Sequence, residues 1–220
     1  DGAQVTIEGF VFHRIVTILG VIDSFLYPGT LCFSRFEYPS SLPLAVQNRM
    51  AKIAMQFMQG IGFDGGFFNI EMMYNVEKDT ISIIEVNSRM ASQFADLYEK
   101  VDGYNSYTPC IELALGHEPQ LKKGAGKHAV AASLVMREFE NKRVLRAPGQ
   151  DELAQLYCAF PDVRVQLFAQ QGDVLDDVAP QDGYSYLVGL IHLGAGSQQE
   201  LLLRFEQAKQ ILNFKLELLC

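Results

Sequence analysis

The amino-acid sequence predicts an α+β fold in which antiparallel hairpins predominate and which is divided into two domains. Three observations carry this prediction. Polar and apolar residues alternate in "QVTIEGFVF" and "RIVTILGVIDSF", as expected for a β-hairpin across His13 and Arg14. From Leu44 to Ile61, apolar residues recur at helical spacing. The polar, glycine-bearing stretch "HEPQLKKGAGK" then interrupts the pattern, which starts afresh beyond it.

The first domain is expected to span residues 1–117. After the first hairpin, the stretch "TLCFSRFEYP" is extended and ends at Pro39, and the helix from Leu44 follows. Gly60 and Gly62 mark the end of that helix, and "DGG" turns the chain into a second hairpin. The segments "FADLYEKVDGY" and "YTPCIELALG" predict two further helices.

Residues 118–127 are predicted to form a solvated linker, and residues 128–220 a small C-terminal α+β domain. Strands are predicted in "HAVAASLVMREF", "VRVQLFAQ" and "YSYLVGLIHLG", and a short helix in "DELAQLYCAF". A final helix begins at Ser197, since Ser197 and Glu200 have capping-box spacing. The residues of this helix expected to point inward are Leu201, Leu202, Phe205, Ala208 and Leu212.

Composition limits the possible function classes. The chain has 220 residues, of which 49% are apolar and 20% charged, which is ordinary for a globular protein. Its formal net charge of -8 argues against a general nucleic-acid binder, because phosphate contacts need basic surface. No apolar run reaches the roughly 18 residues of a membrane span, so a membrane is not an expected partner. Because of the negative net charge, nucleic acid is not an expected partner either. The cysteines and histidines are scattered, which predicts reduced thiols in a cytoplasmic protein and no zinc site.

The second hairpin, "GFFNIEMMYNVEKDTISIIEVNSRM" (residues 66–90), places acidic residues in strands whose composition suits burial. With the turn centred on Lys78, antiparallel pairing sets Glu71 opposite Glu85 and Asn69 opposite Asn87. Strict alternation then predicts one shared face, consisting of Phe67, Asn69, Glu71, Met73, Ile81, Ile83, Glu85 and Asn87.

Directly opposed carboxylates have β-carbons only about 5 Å apart and repel each other. Partial burial adds a desolvation cost, which a bound divalent cation would relieve. Glu71 and Glu85 supply carboxylates and Asn87 a carbonyl oxygen, and phosphate oxygens would complete an octahedron around Mg²⁺. Arg89 is placed to meet phosphate or carboxylate oxygens with its planar fork. The alternative is an edge hairpin whose acidic face looks at solvent; the apolar neighbours on both faces favour the metal site.

The string "IIEVNSRM" resembles the end of the metal-binding hairpin of ATP-grasp ligases, which typically reads Glu-x-Asn-x-Arg. The preceding "EGFVFHRIVTILGVIDSF" and "GFDGGFFNIE" and the following "FADLYEKVDGYN" resemble the segments that flank it in this superfamily. The resemblance favours the carboxylate–amine ligase branch, which includes amino-acid ligases and is akin to biotin carboxylase. From Ala129 onward the chain is similar to the small C-terminal domain of such enzymes. An ATP-grasp C-terminal subdomain followed by that domain is therefore the expected architecture.

The resemblance implies an enzyme that uses Mg-ATP to activate a carboxylate as an acyl phosphate, which an amine or similar nucleophile attacks. Glu71, Glu85 and Asn87 would bind Mg²⁺, for which Mn²⁺ can substitute, and with Arg89 they would contact ATP. Arg89 would be the catalytic residue, stabilising charge on the transferring group. Weaker candidates for the substrate side are Asn69, Ser92 and Gln93. The string "MASQF" stands where relatives often carry glycines, so the substrate contacts differ from the usual pattern.

The resemblance also implies that half of the nucleotide site is absent from this chain. ATP-grasp enzymes clamp the nucleotide between two subdomains, and the first supplies phosphate-binding lysines and a glycine-rich loop. The chain is thus expected to be inactive alone. The alternative function is a non-catalytic ATP-grasp-derived domain with a structural or regulatory role. The oligomeric state is undecided, and a homodimer is one option. Glu8, His13 and Arg14 lie on the first hairpin. The sequence does not decide whether they contact a ligand or occupy ordinary surface positions.

Overall fold

The computed structural model describes residues 2–219 and confirms the predicted α+β class. The chain forms two compact units, the first made of residues 2–25 and 36–128 and the second of residues 26–35 and 129–219. The sequence placed residues 26–35 in the first domain, whereas they belong to the second unit. Two contacts hold this segment there: the Tyr27 hydroxyl donates to the Val135 carbonyl at 2.7 Å, and Arg137 Nε donates to the Phe33 carbonyl at 3.3 Å.

The strands of the first unit are antiparallel. They are β1 (Ala3–Phe12), β2 (Ile15–Leu26), β3 (Phe33–Tyr38), of which residues 36–38 lie in this unit, β4 (Gly66–Asn75) and β5 (Thr80–Asn87). Four of them lie side by side in the order β5-β4-β1-β2. His13 and Arg14 have φ of 48° and 65°, the left-handed conformation of a tight two-residue hairpin turn. The predicted first hairpin is therefore confirmed.

The predicted helices of the first unit are also confirmed. They are α1 (Leu44–Gly60), α2 (Ala95–Asp102) and α3 (Tyr107–Ala114), with one 3₁₀ turn at Ser92–Phe94. The apolar stripe of α1 packs on one face of the sheet. That core consists of Val46, Met50, Ala54 and Met58 from the helix with Val5, Ile7, Phe68, Ile70, Met72 and Tyr74 from the strands.

Residues 118–127, predicted to form a solvated linker, belong to the first unit. Most of their side chains are exposed, but the segment is bound to the first unit through its backbone and one lysine. The Ala125 and Gly126 N–H groups donate to carbonyls at the end of α2, at 3.0 and 3.2 Å, and Lys123 Nζ donates to the Leu19 carbonyl. Carbonyl groups that the helix end and the strand leave open thus find their donors in this segment.

The second unit contains the antiparallel strands β6 (Val130–Glu138), β8 (Arg164–Leu167) and β9 (Tyr186–Ala195), with β9 in the middle. The helices α4 (Gln150–Ala159) and α6 (Gln198–Leu212) pack on this sheet and bury Leu156, Leu201 and Phe205. The sequence did not predict the paired strands β7 (Lys142–Arg146) and β10 (Lys215–Leu218) or the single-turn helix α5 (Leu175–Val178). These elements have only four or five residues each, too few to show a period.

The start of α6 is capped nearly as predicted. Ser197 Oγ accepts a hydrogen bond from the Glu200 N–H at 3.2 Å, but the Glu200 carboxylate accepts from Gly196 N–H at 2.8 Å, one residue earlier than a capping box requires. The predicted inward residues of α6 are buried except Leu202, which is 39% exposed. Leu202 follows Leu201 by about 100° around the helix axis and so faces away from the core.

In the part of the chain that the structure describes, no helix combines the length and the apolar character needed to cross a bilayer. The cysteines at positions 32, 110 and 158 are free thiols.

The packing of α1 yields a stability prediction. Met50→Ala should lower the free energy of unfolding by about 2–4 kcal/mol, because Met50 is fully buried and its truncation leaves a cavity. Met55→Ala on the same helix is the matched control, since Met55 is 37% exposed and should cost well under half as much. Urea unfolding followed by far-UV circular dichroism measures both. Equal costs would contradict the packing described.

Candidate metal and nucleotide site

The hairpin of β4 and β5 has the predicted register. Glu71 pairs with Glu85, and Asn69 pairs with Asn87. All four residues therefore project from one face of the sheet, which is here called the acidic face. Glu71 is half-buried, whereas Glu85 is exposed at the edge strand.

A β-bulge corrects the predicted composition of that face. Next to the Glu71–Glu85 pair, Met72 pairs with Ile83, so Ile84 is an extra residue in β5. The insertion reverses the alternation, and Ile81 and Ile83 lie on the opposite face, where Ile81 packs against the core under α1. The two isoleucines therefore do not flank the carboxylates, as strict alternation had predicted. Ser82 takes their place on the acidic face, opposite Met73.

The acidic face continues across β1. Thr6 pairs with Glu71, and Glu8 pairs with Asn69. Gln4 Nε2 donates a hydrogen bond to Glu71 Oε2 at 3.1 Å, which restrains that carboxylate. Three neighbouring strands thus contribute polar side chains to one surface.

The electrostatics of Glu71 show that this surface carries unrelieved negative charge. Burial raises the pKa of Glu71, and the charge of Glu85 raises it further. The hydrogen bond from Gln4 and the charge of Arg89 lower this pKa without offsetting the rise. A cation bound between Glu71 and Glu85 would relieve both the desolvation and the repulsion.

The donor atoms on the acidic face fit a hard divalent ion. Two carboxylates and one amide oxygen, from Glu71, Glu85 and Asn87, are the oxygen ligands that Mg²⁺ prefers, and they leave room for phosphate oxygens or water. Among residues 2–219, no group of three or more His, Cys, Asp or Glu side chains is placed to hold a metal.

The segment after β5 carries the other predicted site residues. The Arg89 side chain is exposed and lies close enough to Glu8 and Glu71 to lower the pKa of both. Ser92 and Gln93 lie in the 3₁₀ turn that follows, with Ser92 exposed and Gln93 partly buried. Asn69 is only 4% exposed, and its Nδ2 donates to the Arg89 carbonyl at 3.0 Å. Burial favours a structural role for Asn69 over contact with a substrate.

Glu8 is the residue whose importance the sequence left open. It is completely buried, so the reading of Glu8 as a plain surface position is wrong, whereas His13 and Arg14 are exposed at the hairpin turn. Its Oε1 accepts a hydrogen bond from the Ala91 N–H at 2.6 Å. Burial raises the pKa of Glu8 to about 7, although Ala91, the Tyr98 hydroxyl and Arg89 each lower it. The available sequence signal was the period of two that Glu8 shares with Gln4 and Thr6.

The Tyr98 hydroxyl lies close enough to Glu8 to lower its pKa, and two further tyrosines pack against Tyr98. The Tyr98 ring is fully buried and contacts Tyr38 edge-on at 4.8 Å between centroids and Tyr104 in a stack at 5.7 Å. The Tyr38 hydroxyl donates to Asp102 Oδ2 at 2.5 Å. Burial is the main cause that raises the pKa of both Tyr38 and Tyr98, so these hydroxyls stay neutral.

Residues 38–122 match the protein family described as the ATP-binding domain of the carbamoyl-phosphate synthase L chain. This segment includes the whole β4–β5 hairpin (residues 66–87) and Arg89. The chain has the ATP-grasp fold. The predicted resemblance to the ATP-grasp superfamily is thereby confirmed.

Solved ATP-grasp structures superpose on both units. L-amino acid ligase from Bacillus licheniformis has a TM-score of 0.77 at 16% identity, with 100% of this chain and 53% of that chain covered. Biotin carboxylase from Campylobacter jejuni, solved as a β-γ-ATP complex, has a TM-score of 0.70 at 15% identity and covers 98% and 46%. The biotin carboxylase domain dimer of 2-oxoglutarate carboxylase from Hydrogenobacter thermophilus, in complex with MgADP, ADP and bicarbonate, scores 0.68 at 15% identity and covers 98% and 46%.

The chain spans about half the length of these ATP-grasp structures. A comparison with curated protein sequences found no match. The matched family segment contains the hairpin with its opposed glutamates, whereas β1, which carries Glu8, lies outside that segment.

The buried carboxyl of Glu8 predicts a pH dependence of stability. Its pKa is about 7 in the folded chain and 4.5 ordinarily, so between these values the folded state binds the proton more tightly than the unfolded state. Stability contributed by Glu8 is fully present below pH 4.5 and falls as the pH rises to 7, by up to about 3 kcal/mol. Glu8→Gln should flatten this dependence. Urea unfolding of both proteins between pH 4.5 and 7.5 measures it, and parallel curves would contradict the burial of Glu8.

Proposed function

We propose that the chain is the metal- and phosphate-binding part of an ATP-dependent ligase. This enzyme would activate a carboxylate as an acyl phosphate, which an amine or similar nucleophile attacks to form a C–N bond. The observation that carries the proposal is the pairing of Glu71 with Glu85 on the face that also presents Asn87, with Arg89 two residues further on. The structural likeness to L-amino acid ligase and to biotin carboxylase supports this class of reaction.

Four side chains of the acidic face have proposed roles. Glu71 and Glu85 hold Mg²⁺ with their carboxylates and Asn87 with its amide oxygen, and Mn²⁺ can substitute. The bound ion would neutralise charge on the ATP phosphates. Gln4 restrains Glu71 through its hydrogen bond, so one carboxylate is oriented before any ligand arrives. The MgADP in the 2-oxoglutarate carboxylase domain supports ATP and Mg²⁺ as the ligands.

Arg89 is the proposed catalytic residue. Its exposed guanidinium can form paired hydrogen bonds with phosphoryl oxygens, and its charge stabilises the transferring group. Ser92 and Gln93, on the 3₁₀ turn next along the chain, are proposed to face the carboxylate or amine substrate. In this arrangement the substrate approaches from the side of the turn and the nucleotide from the side of the hairpin.

The proposal extends to domains, partners and setting. The first unit is the ATP-grasp C-terminal subdomain, and the second is the small C-terminal domain. The partners are ATP and small carboxylate and amine molecules in the cytoplasm, not nucleic acid, since the net charge is -8. A homodimer is proposed because the 2-oxoglutarate carboxylase domain is a dimer. Sedimentation of the purified chain measures this state.

A Mn²⁺ titration tests the metal site. Glu85→Gln should weaken Mn²⁺ binding at least about tenfold, because it removes one of two carboxylate ligands. Glu77→Gln is the matched control: Glu77 is exposed in the turn of the same hairpin, and the substitution removes the same charge away from the pair. Electron paramagnetic resonance of free Mn²⁺ measures the affinity of each protein.

Equal Mn²⁺ affinities in the wild type, Glu85→Gln and Glu77→Gln would refute the metal site. They would favour the alternative of a non-catalytic ATP-grasp domain with a structural or regulatory role.

The 220-residue chain alone should neither hydrolyse ATP nor ligate substrates. The biotin carboxylase and L-amino acid ligase structures are about twice as long, and the resemblance assigns the phosphate-binding lysines to the part without a counterpart here. Phosphate release from Mg-ATP in the presence of an amino-acid mixture is the measurement. Sustained release by the wild type that Arg89→Ala abolishes would contradict the expectation, and the variant also controls for contaminating ATPase.

A further inference from the structure

Two hydrogen bonds hold the backbone around Arg89. The Arg89 carbonyl accepts from Asn69 Nδ2 at 3.0 Å, and the Ala91 N–H donates to Glu8 Oε1 at 2.6 Å. Both bonds come from side chains of the sheet and meet the chain just after β5 ends at Asn87. A segment of irregular backbone is thus fixed on both sides of Met90.

The two anchoring side chains form one rigid unit. Glu8 and Asn69 are direct cross-strand partners in β1 and β4, in the interior of the sheet. Asn69 is 4% exposed and Glu8 is completely buried, so neither has the rotamer freedom of a surface residue. Their bonds therefore transmit the geometry of the sheet to the segment that carries Arg89.

The Arg89 guanidinium is tied to the same backbone. Arg89 Nη1 donates a hydrogen bond to the Met90 carbonyl at 3.4 Å. Because the two anchors hold the chain on either side of Met90, they also fix the carbonyl that accepts from the guanidinium.

We propose that Glu8, together with Asn69, is a positioning residue that fixes the backbone of residues 89–91 and orients the Arg89 guanidinium over the acidic face. The role of Arg89 on ATP rests on the proposed function, whereas the orientation of its side chain is a property of the chain alone. Glu8 is fully buried, so it acts through Arg89 and does not touch a ligand.

Nuclear magnetic resonance of the full 220-residue chain tests this proposal without any ligand. The readouts are the hydrogen-exchange protection of the Ala91 amide and the heteronuclear NOE of the Arg89 Nε–H, which reports order of the side chain. In Glu8→Ala, Ala91 protection should fall at least about tenfold, since a hydrogen bond to a charged group is lost. The Arg89 NOE should fall toward that of a mobile side chain.

Glu8→Gln tests the anchoring hydrogen bond without removing the side chain. It retains an acceptor for the Ala91 amide, so both the Ala91 protection and the Arg89 NOE should fall less than in Glu8→Ala. Asn69→Ala removes the second anchor and should also lower the Arg89 NOE. These two variants decide the question if Glu8→Ala does not fold, as judged by circular dichroism.

Asp23→Asn is the matched control. Asp23 is another buried carboxylate of the first unit, 6% exposed, and it accepts hydrogen bonds from the Ser41 backbone and hydroxyl at 2.8 and 2.6 Å. Its substitution should reduce stability but leave the Arg89 NOE unchanged. The proposal is overturned if the Arg89 NOE of the wild type is already that of a mobile side chain, if it is unchanged in both Glu8→Ala and Asn69→Ala, or if it falls as far in Asp23→Asn.

The outcome is independent of the ligase proposal. A chain that binds no Mn²⁺ but loses Arg89 order on substitution of Glu8 would refute the metal site and retain the positioning role. If instead the chain binds Mn²⁺ through Glu85 and the Arg89 NOE does not change on substitution of Glu8, the metal site is retained and the positioning role is refuted.

Discussion

The antiparallel register of β4 against its two neighbours is the constraint on which the candidate site depends. It places Glu71 opposite Glu85 and, on the other side, Asn69 opposite Glu8. A slip of one residue on either side would move one partner of each pair to the face that packs under α1. The position of the carboxylates and the anchoring of the Arg89 segment therefore both depend on the backbone hydrogen bonds of β4.

The two faces of this sheet differ in composition: one is apolar and the other carries carboxyl groups. The face under α1 is apolar, and its burial stabilises the first unit. The other face keeps carboxyl groups in partly or fully dry surroundings, which raises the pKa of Glu8 and Glu71. Such groups oppose folding at neutral pH, so the stability from the first face offsets the cost of the second. At the β-bulge, Ile84 is an extra residue in β5, so the alternation of side chains between the two faces reverses there.

Local sequence patterns predicted most of the regular structure and the central pair of the site. The alternation in residues 66–90 and the turn residues were sufficient to set Glu71 against Glu85, because hairpin pairing is a short-range property. The spacing from Leu44 to Ile61 predicted α1, and Ser197 predicted the start of α6. The bulge was not predictable, since strict alternation has no signal for one inserted residue, and the faces of Ile81 and Ile83 were wrong for that reason.

The sequence by itself determined the α+β class, the two hairpins, the opposed glutamates and the resemblance to ATP-grasp ligases, since each depends on residues close together in the chain. Only the tertiary structure decided that Glu8 is buried, that residues 26–35 belong to the second unit and that residues 118–127 bind the first. Glu8 and its partner Ala91 are 83 positions apart, and Tyr27 and Val135 are 108 apart. Burial and pairing over such separations depend on how the whole unit closes, which no local period records.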